Sequence, residues 1–517
     1  MNPNKRVWIA SILSSLFAVS YINFVIKPTS SFQRQQNSQA SQLTKQNEQG
    51  GGHDTGHSEY QQLTGKEHVR TIIGEDIALD VLEEAPVVES VTLEKHRDRT
   101  TGTAIRISTG RPIFAVDGEG DAPWIFLAQS HDSATWKRIG VANGETETVT
   151  ISARREAHVF DAVVSIATKG TKRRSRLISV GASWKRVDKV AGRYNVLESV
   201  VAVENGHQLR HVSHRESLGR VDNVPRGTQF ATLSERYFCE SIKPDKRYPA
   251  RTRMLTTAAG IQELALSSDI SVEPNQAVEE KISVYVGPRD FFRMRDAGFE
   301  RAFKIGFLAQ IGLVLLVGLK GIAGLTHNYG LAIIALSGAI TLALSPLTLS
   351  GLRSMKRLQE LQPKLEQLKK KHEKDSQKLN KEMMELFREH RVSPLGGCLP
   401  MLIQLPVFFA LLSAVSHMIE LRGANFLWIH DLSLPDRLTT LPFGLELNLL
   451  PILTAVAMYL QTKRSQQVMS SGTPNIMSGP MMSVMFGLML YNVPSGLALY
   501  WLSNSLFSVA LYKIGRI

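Results

Sequence analysis

Apolar and polar positions divide this chain into three regimes. Residues 8–26 form one run of mostly apolar or small residues, residues from about 66 to 290 alternate, and 304–517 return to long apolar runs interrupted by a single highly charged stretch. About 20 consecutive apolar residues span the ~30 Å hydrocarbon core of a bilayer. The pattern therefore predicts a multi-pass α-helical membrane protein that carries a soluble domain.

The first run, "NKRVWIASILSSLFAVSYINFVIKP", opens on Lys5 and Arg6 and ends at Lys27-Pro28. It is longer than a signal-peptide core and lacks a small-residue cleavage site. Residues 1–27 are read as an uncleaved transmembrane anchor with a cytoplasmic N-terminus. Residues 28–65 are rich in Gln, Ser and Gly, too polar to offset the entropy of ordering, and are read as a flexible linker. His53 and His57 lie there as solvated linker residues.

Alternation dominates 66–290. Asn205-Gly206 separates two alternating runs, as a tight hairpin turn with positive φ requires, and Asn143-Gly144 repeats the device before "ETETVTISA". "EKISVYVG" closes the domain. Short strands with such turns predict an antiparallel β-sandwich. Its acidic and histidine residues are scattered singly, without a catalytic constellation.

Beyond Gly287-Pro288 the chain turns helical. Residues 291–328 contain a run long enough to span, but charge parity opposes that. Were both 304–325 and 329–349 to cross, the segment 351–391, with 12 Lys/Arg against 7 Asp/Glu, would emerge outside, against the positive-inside rule. The run is therefore read as an interfacial helix. Spans at 329–349, 399–417, 449–462, 477–493 and 495–513 then alternate consistently, making a five-helix core within 329–517 and six spans in all. Trp428 falls in the outer loop as an interfacial anchor.

Within 351–391, Leu358, Leu361, Leu365 and Leu368 make one narrow stripe, and Leu379, Met383 and Leu386 a second. Pro363 either kinks the first helix or opens it, and Asp375 or Ser376 caps the second. The pair reads as a cytoplasmic helical hairpin. It is either a solvated coiled coil or a docking arm for an anionic or hydrophobic partner, with Arg353, Lys356, Arg357, Lys369, Lys370 and Lys371 as its candidate contacts.

Charge and composition refine this picture without replacing it. A net charge of +13 on 517 residues would suit a nucleic-acid binder, yet much of the clustered charge flanks membrane segments, leaving ribosomal RNA as a candidate partner for the hairpin alone. The two cysteines, Cys239 and Cys398, fall on opposite sides of the predicted membrane, which argues against a disulfide and against a cysteine metal site. No nucleotide-binding loop is present, and no cofactor is expected.

The stretches "LQPKLEQLKKK", "VSPLGGCLPMLIQLPVFFAL", "LWIHDLS" and "NVPSGLALYWLSNSL" resemble the YidC/Oxa membrane protein insertase family, in that family's order. "LSERYFCESIKP" and "VYVGPRDFF" resemble its bacterial branch with a large external domain. The resemblance implies a bacterial inner-membrane protein with both termini cytoplasmic and a periplasmic β-supersandwich. Its core would receive hydrophobic segments of nascent proteins in a polar groove open to cytoplasm and lipid, and release them into the membrane alone or beside the Sec translocon. Nascent membrane proteins, lipids, the Sec translocon and the ribosome are the partners it implies.

Such a groove calls for neutral hydrogen-bonding groups on several helices. Thr341 and Ser345 share a helix face, Gln404 lies between Pro400 and Pro406, and Ser503 and Asn504 lie in the last span. Polar residues of this kind also join membrane helices structurally. Many family members carry an Arg where this chain has Thr341. Two rivals remain: a secondary transporter, disfavoured because the predicted spans, taken between their flanking loops, hold no Asp, Glu, Lys or Arg, and a membrane-anchored carbohydrate-active sandwich, which rests on fold alone.

Overall fold

The computed structural model describes residues 68–514 apart from short internal stretches, the longest being 186–196, 216–221, 391–398 and 467–478. The predicted anchor, the linker histidines, Cys398 and Gly396-Gly397 lie outside the described residues. The chain divides into two compact units, Met1–Lys304 and Ile305–Ile517.

The first unit is built on one antiparallel sheet of 17 strands. One half runs through β1 (Val69–Ile73), β2 (Ile77–Leu82), β3 (Val87–Arg97), β5 (Phe114–Gly118), β10 (Arg174–Trp184), β16 (Gln262–Val272) and β15 (Ala250–Thr256) to β13 (Asp222–Ser234), with β4 (Ala104–Ile107) also paired to β3. The other half runs from β13 through β14 (Phe238–Lys243), β17 (Ala277–Pro288), β9 (Val159–Ala167), β8 (Glu145–Ala153) and β7 (Ser133–Gly140) to β6 (Ile125–Gln129). The ribbon of β11 (Glu198–Asn205) and β12 (Gln208–Arg215) joins through β11 to β13.

The long strand β13 belongs to both halves: its start pairs with β15 and its end with β14. A register shift between Val224 and Thr228 marks the corner, and Gly227 there has φ +108°. That conformation is open to glycine and strained for other residues, and a Cβ would also approach Glu204 O to 3.2 Å. The halves face each other. Phe114 of β5 meets Phe160 of β9 edge-on at 5.4 Å, and Trp136 Nε1 of β7 donates to Leu82 O of β2 at 3.0 Å.

Alternation explains this sheet. On β15, Ala250, Thr252, Met254 and Thr256 are buried while Arg251 and Arg253 are exposed. The expected hairpin at Asn205 forms one residue out of register with the expectation: Asn205 pairs with Gln208 as a strand residue, and its loop positions lie outside the described residues. The second expected turn, Asn143-Gly144, also falls outside them, between the paired Gly140 and Glu145. Helix α1 (Phe291–Asp296) is capped by Asp290, whose carboxylate accepts from Phe292 N and Arg293 N. Its Met294, followed by Phe299 and Ala302, packs with Cys239, Tyr285 and Phe230.

The second unit is helical: α2 (Phe307–Thr326), α3 (Tyr329–Glu360), α4 (Gln362–Lys371), α5 (Ser376–Glu389), α6 (Leu399–His417), α7 (Leu449–Gln466), α8 (Gly479–Leu490) and α9 (Ser495–Ile514). By length and composition, 309–326 and 329–351 can each cross a membrane, while 404–416 and 449–461 are shorter apolar stretches. A small pairing, β18 (Thr439–Leu441) with β19 (Leu445–Leu447), lies between α6 and α7.

Helix α3 runs through Pro346 without interruption for 32 residues, about 48 Å at 1.5 Å per residue. Proline offers no N–H to the carbonyl four residues back, here Leu342 O. Ser345 Oγ takes that place, donating to Leu342 O at 2.7 Å. Pro363 sits in the first turn of α4, where its missing N–H costs nothing, and Asp375 caps α5 by accepting from Lys378 N at 3.0 Å. Helices α4 and α5 lie antiparallel, with His372 Nε2 3.0 Å from Glu382 Oε2 at one end and Lys364 Nζ donating to His390 Nε2 at 3.2 Å at the other.

Candidate functional site

Aromatic packing fixes the middle of the helical unit. Trp501 of α9 lies edge-on to Phe408 of α6 at 4.9 Å and beside Phe486 of α8 at 5.3 Å. Its neighbour Tyr500, fully buried, turns to the other side. There Gln404 Nε2 of α6 donates to Tyr500 Oη, and Ser337 Oγ of α3 donates to Tyr500 O at 3.3 Å.

One turn further, Thr341 Oγ1 lies 2.8 Å from Ser337 O and 2.9 Å from Asn504 Oδ1. A hydroxyl carries one proton, so it cannot donate to both. Both contacts are made when the Asn504 carboxamide is turned over, a choice that hydrogen-bonding logic decides. Asn504 Nδ2 then donates to Thr341 Oγ1. Asn504 is half-buried.

The five expected groove residues divide accordingly. Thr341, Asn504 and Gln404 come together in one neutral network across α3, α6 and α9. Ser503 is buried and donates within its own helix to Leu499 O at 2.8 Å, and Ser345 serves Leu342 O. Ser337 and Tyr500 belong to the network and escaped the sequence reading. A signal for them existed: Ser337, Thr341 and Ser345 recur every four residues on α3, and Tyr500, Asn504 and Ser508 do so on α9.

The segment 418–448 covers one end of this bundle by supplying partners to helix starts. Asp436 Oδ2 accepts from Leu450 N at 2.8 Å, Leu434 O accepts from Ser495 N at 2.8 Å, and Leu432 O accepts from Gly496 N at 2.8 Å. Asn448 Nδ2 donates to Tyr491 O at 2.7 Å. These are the groups a helix terminus otherwise leaves unsatisfied. Trp428 Nε1 reaches Asp436 Oδ2 at 3.5 Å.

Helix α2 packs beside the same end. A Cβ on Gly312 would lie 2.8 Å from Ala410 O, so the backbones of α2 and α6 touch. Lys320 Nζ pairs with Glu420 Oε1 at 2.8 Å, just past the end of α6. In the hairpin, Arg353, Arg357, Lys370 and Lys371 are exposed, while the side chains of Lys356 and Lys369 lie outside the described residues. Among the described residues no cluster of His, Cys, Asp and Glu could hold a metal.

These features define a membrane-embedded helical core with a neutral polar network, joined in one chain to a large all-β unit. Comparison with known proteins narrows the class. The family described as "60Kd inner membrane protein" matches residues 321–514. The membrane protein insertase YidC of Geobacter sulfurreducens is 33% identical over 72% of this chain and 69% of its own length. That of Pelobacter propionicus is 37% identical over 58% of this chain and 56% of its own.

A crystal structure described as an active YidC insertase aligns with 87% of this chain and 95% of its own at 20% identity and a TM-score of 0.37. A galactose mutarotase-like protein from Lactobacillus casei aligns with 42% of this chain and 99% of its own, at 8% identity and a TM-score of 0.33. The chain belongs to the YidC/Oxa membrane protein insertase family. It is accordingly a bacterial inner-membrane protein.

Proposed function

We propose that this protein inserts hydrophobic segments of nascent proteins into the bacterial inner membrane, alone or with the Sec translocon. The observation that carries this reading is the neutral network of Gln404, Tyr500, Ser337, Thr341 and Asn504 on three packed helices. A central Leu, Ile, Phe or Val gains roughly 0.3–0.6 kcal/mol on insertion, whereas one charged residue there costs about 2.5–3.5 kcal/mol. Insertion is downhill once the polar flank has crossed, so the flank sets the barrier. Uncharged hydrogen-bonding groups lower that barrier without trapping the substrate.

The topology follows from the same reading. The chain crosses six times, α4 and α5 project into the cytoplasm, where the ribosome is a candidate contact, and the β unit lies in the periplasm. The capped end at 418–448 supports a groove closed on the periplasmic side. The contacts of α2 with Ala410 and Glu420 put it beside the distal half of α6, and the interfacial reading of α2 rests on charge parity. Its length and composition alone would allow it to span.

Crosslinking tests the groove. A stalled nascent membrane segment should crosslink to photoreactive residues at Thr341, Gln404 and Asn504, and not to residues on the exposed face of α8, such as Leu488. The reverse pattern would move the substrate path elsewhere. Thr341 offers only a hydroxyl where many relatives offer a guanidinium, so acidic substrate tails should gain nothing over neutral ones in the natural protein and should gain in Thr341→Arg. Equal responses in both proteins would refute that part.

A further inference from the structure

The segment 418–448 is seated on the helical bundle at two glycines. Gly330, in the first turn of α3, is buried, and a Cβ there would overlap the Phe426 side chain, 2.6 Å from its Cβ and closer still to its ring. Gly496, in the first turn of α9, is buried as well; a Cβ there would come 3.1 Å from Leu432 O and 3.3 Å from Ile333 Cδ1 of α3. Only a residue without a Cβ lets a ring or a second backbone approach this closely. Phe426 therefore rests on the backbone of α3, and Leu432 on that of α9.

The segment holds these two residues in place. Phe426 and Ile429 exchange backbone hydrogen bonds at 2.8 and 2.9 Å, and the turn between them puts Leu427 at φ +52°, a costly conformation for a bulky side chain. Leu432 N donates to Ala424 O at 2.9 Å, and Leu432 O accepts from Gly496 N at 2.8 Å. Polar groups in the layer serve one another: Asp431 Oδ1 accepts from Ser433 N and Oγ at 2.8 and 2.6 Å, and Ser495 Oγ donates to Asp431 O at 3.0 Å. Ile429, Leu432, Ile333 and Leu497 are at most 2% exposed. The Thr341–Asn504 pair lies deeper, 11 residues past Gly330 on α3 and eight past Gly496 on α9, about 16 and 12 Å along those helices.

We infer that Phe426 and Leu432 are positioning residues that close the groove against the periplasm, and that the closure depends on the glycine seats beneath them. This rests on the groove proposed for this protein and names the contacts that hold its barrier. A layer of apolar side chains whose few polar groups are bonded to one another gives water nothing to bind. A groove hydrated from the cytoplasm then exists without a continuous water path across the membrane. At Gly330 a Cβ would meet the near end of the Phe426 side chain, which cannot rotate away, so the ring and the turn that carries it must lift.

The test labels a reporter thiol, Thr341→Cys, in the full-length protein carrying Cys398→Ser; the other cysteine, Cys239, is fully buried. The probe is a small membrane-impermeant methanethiosulfonate with a trimethylammonium head, applied to spheroplasts for the periplasmic face and to inverted vesicles for the cytoplasmic face. With the seats intact, the reporter should react from the cytoplasmic face alone. Gly330→Ala should raise the rate from the periplasmic face about tenfold or more, while an unchanged cytoplasmic rate shows that the fold persists. If Gly330→Ala fails to accumulate, Phe426→Ala, which removes the ring without a clash, carries the same expectation. Cytoplasmic reaction with no periplasmic gain in either variant, or periplasmic reaction with both seats intact, would overturn the seal. No reaction from either face with the seats intact would overturn the groove itself, and the seal with it.

Discussion

Glu280 offers a sharp test of how the β unit holds its buried charge. It lies on β17 with no exposed surface; Ser268 Oγ donates to its Oε1 at 2.9 Å, and Oε2 meets no partner among the described residues. Burial raises its carboxyl to about 7; the Ser268 hydrogen bond and the Arg247 charge oppose the rise, and Asp245 adds to it. The unfolded chain releases the same proton near pH 4.3. Between these values the folded state binds a proton that the unfolded state does not, so stability falls as pH rises.

At about 1.4 kcal/mol for each tenfold difference in proton affinity, the rise to about 7 amounts to about 4 kcal/mol. That contribution is fully present below about pH 4.3 and lost by about pH 7. Glu280→Gln keeps the shape and the Ser268 contact but cannot ionise. Urea unfolding of the β unit in the full-length protein, followed by pulse proteolysis from pH 4 to 8, provides the measurement. The variant should gain about 4 kcal/mol on the natural protein across that interval, with the gap flat above pH 7. A gap that does not change with pH would refute the assignment of a buried, protonated carboxyl.

Three further outcomes are expected in the helical unit. Ser345→Ala should lower thermal stability by about 1 kcal/mol by leaving Leu342 O unpaired, and should cost nothing once Pro346→Ala restores the backbone N–H; equal losses in both backgrounds would deny the compensation. Gly312→Ala should destabilise by about 1–3 kcal/mol, because its Cβ would lie 2.8 Å from Ala410 O; an unchanged melting temperature would mean that α2 and α6 do not touch there. Lys320→Glu should loosen α2, read as faster hydrogen exchange over 309–326, and Lys320→Glu with Glu420→Lys should restore protection. Failure of the double exchange to do so would remove the ion pair from the account.

The gross architecture was legible because hydrophobic period and length are local properties. The alternation at 250–256, the apolar helices after Phe307 and the capping residue Asp375 each follow from a few neighbouring side chains and recur in the structure. Ser345 illustrates the limit. Its sequence spacing suits a groove wall, but its hydroxyl repairs the backbone beside Pro346, a role that depends on which rotamer the helix allows. Ser503 likewise donates within its own helix, as serines in membrane helices often do.

By itself the sequence determined that this is a membrane protein with an alternating soluble domain, a basic helical pair and several neutral polar residues in apolar helices. Those conclusions need only composition, period and charge. Only the tertiary structure decided which polar residues meet. Thr341 finds Asn504 and Gln404 finds Tyr500 across separate helices. The physical reason is that a polar side chain's role is set by its hydrogen-bond partner. Those partners lie far away in the chain, so no local pattern names them.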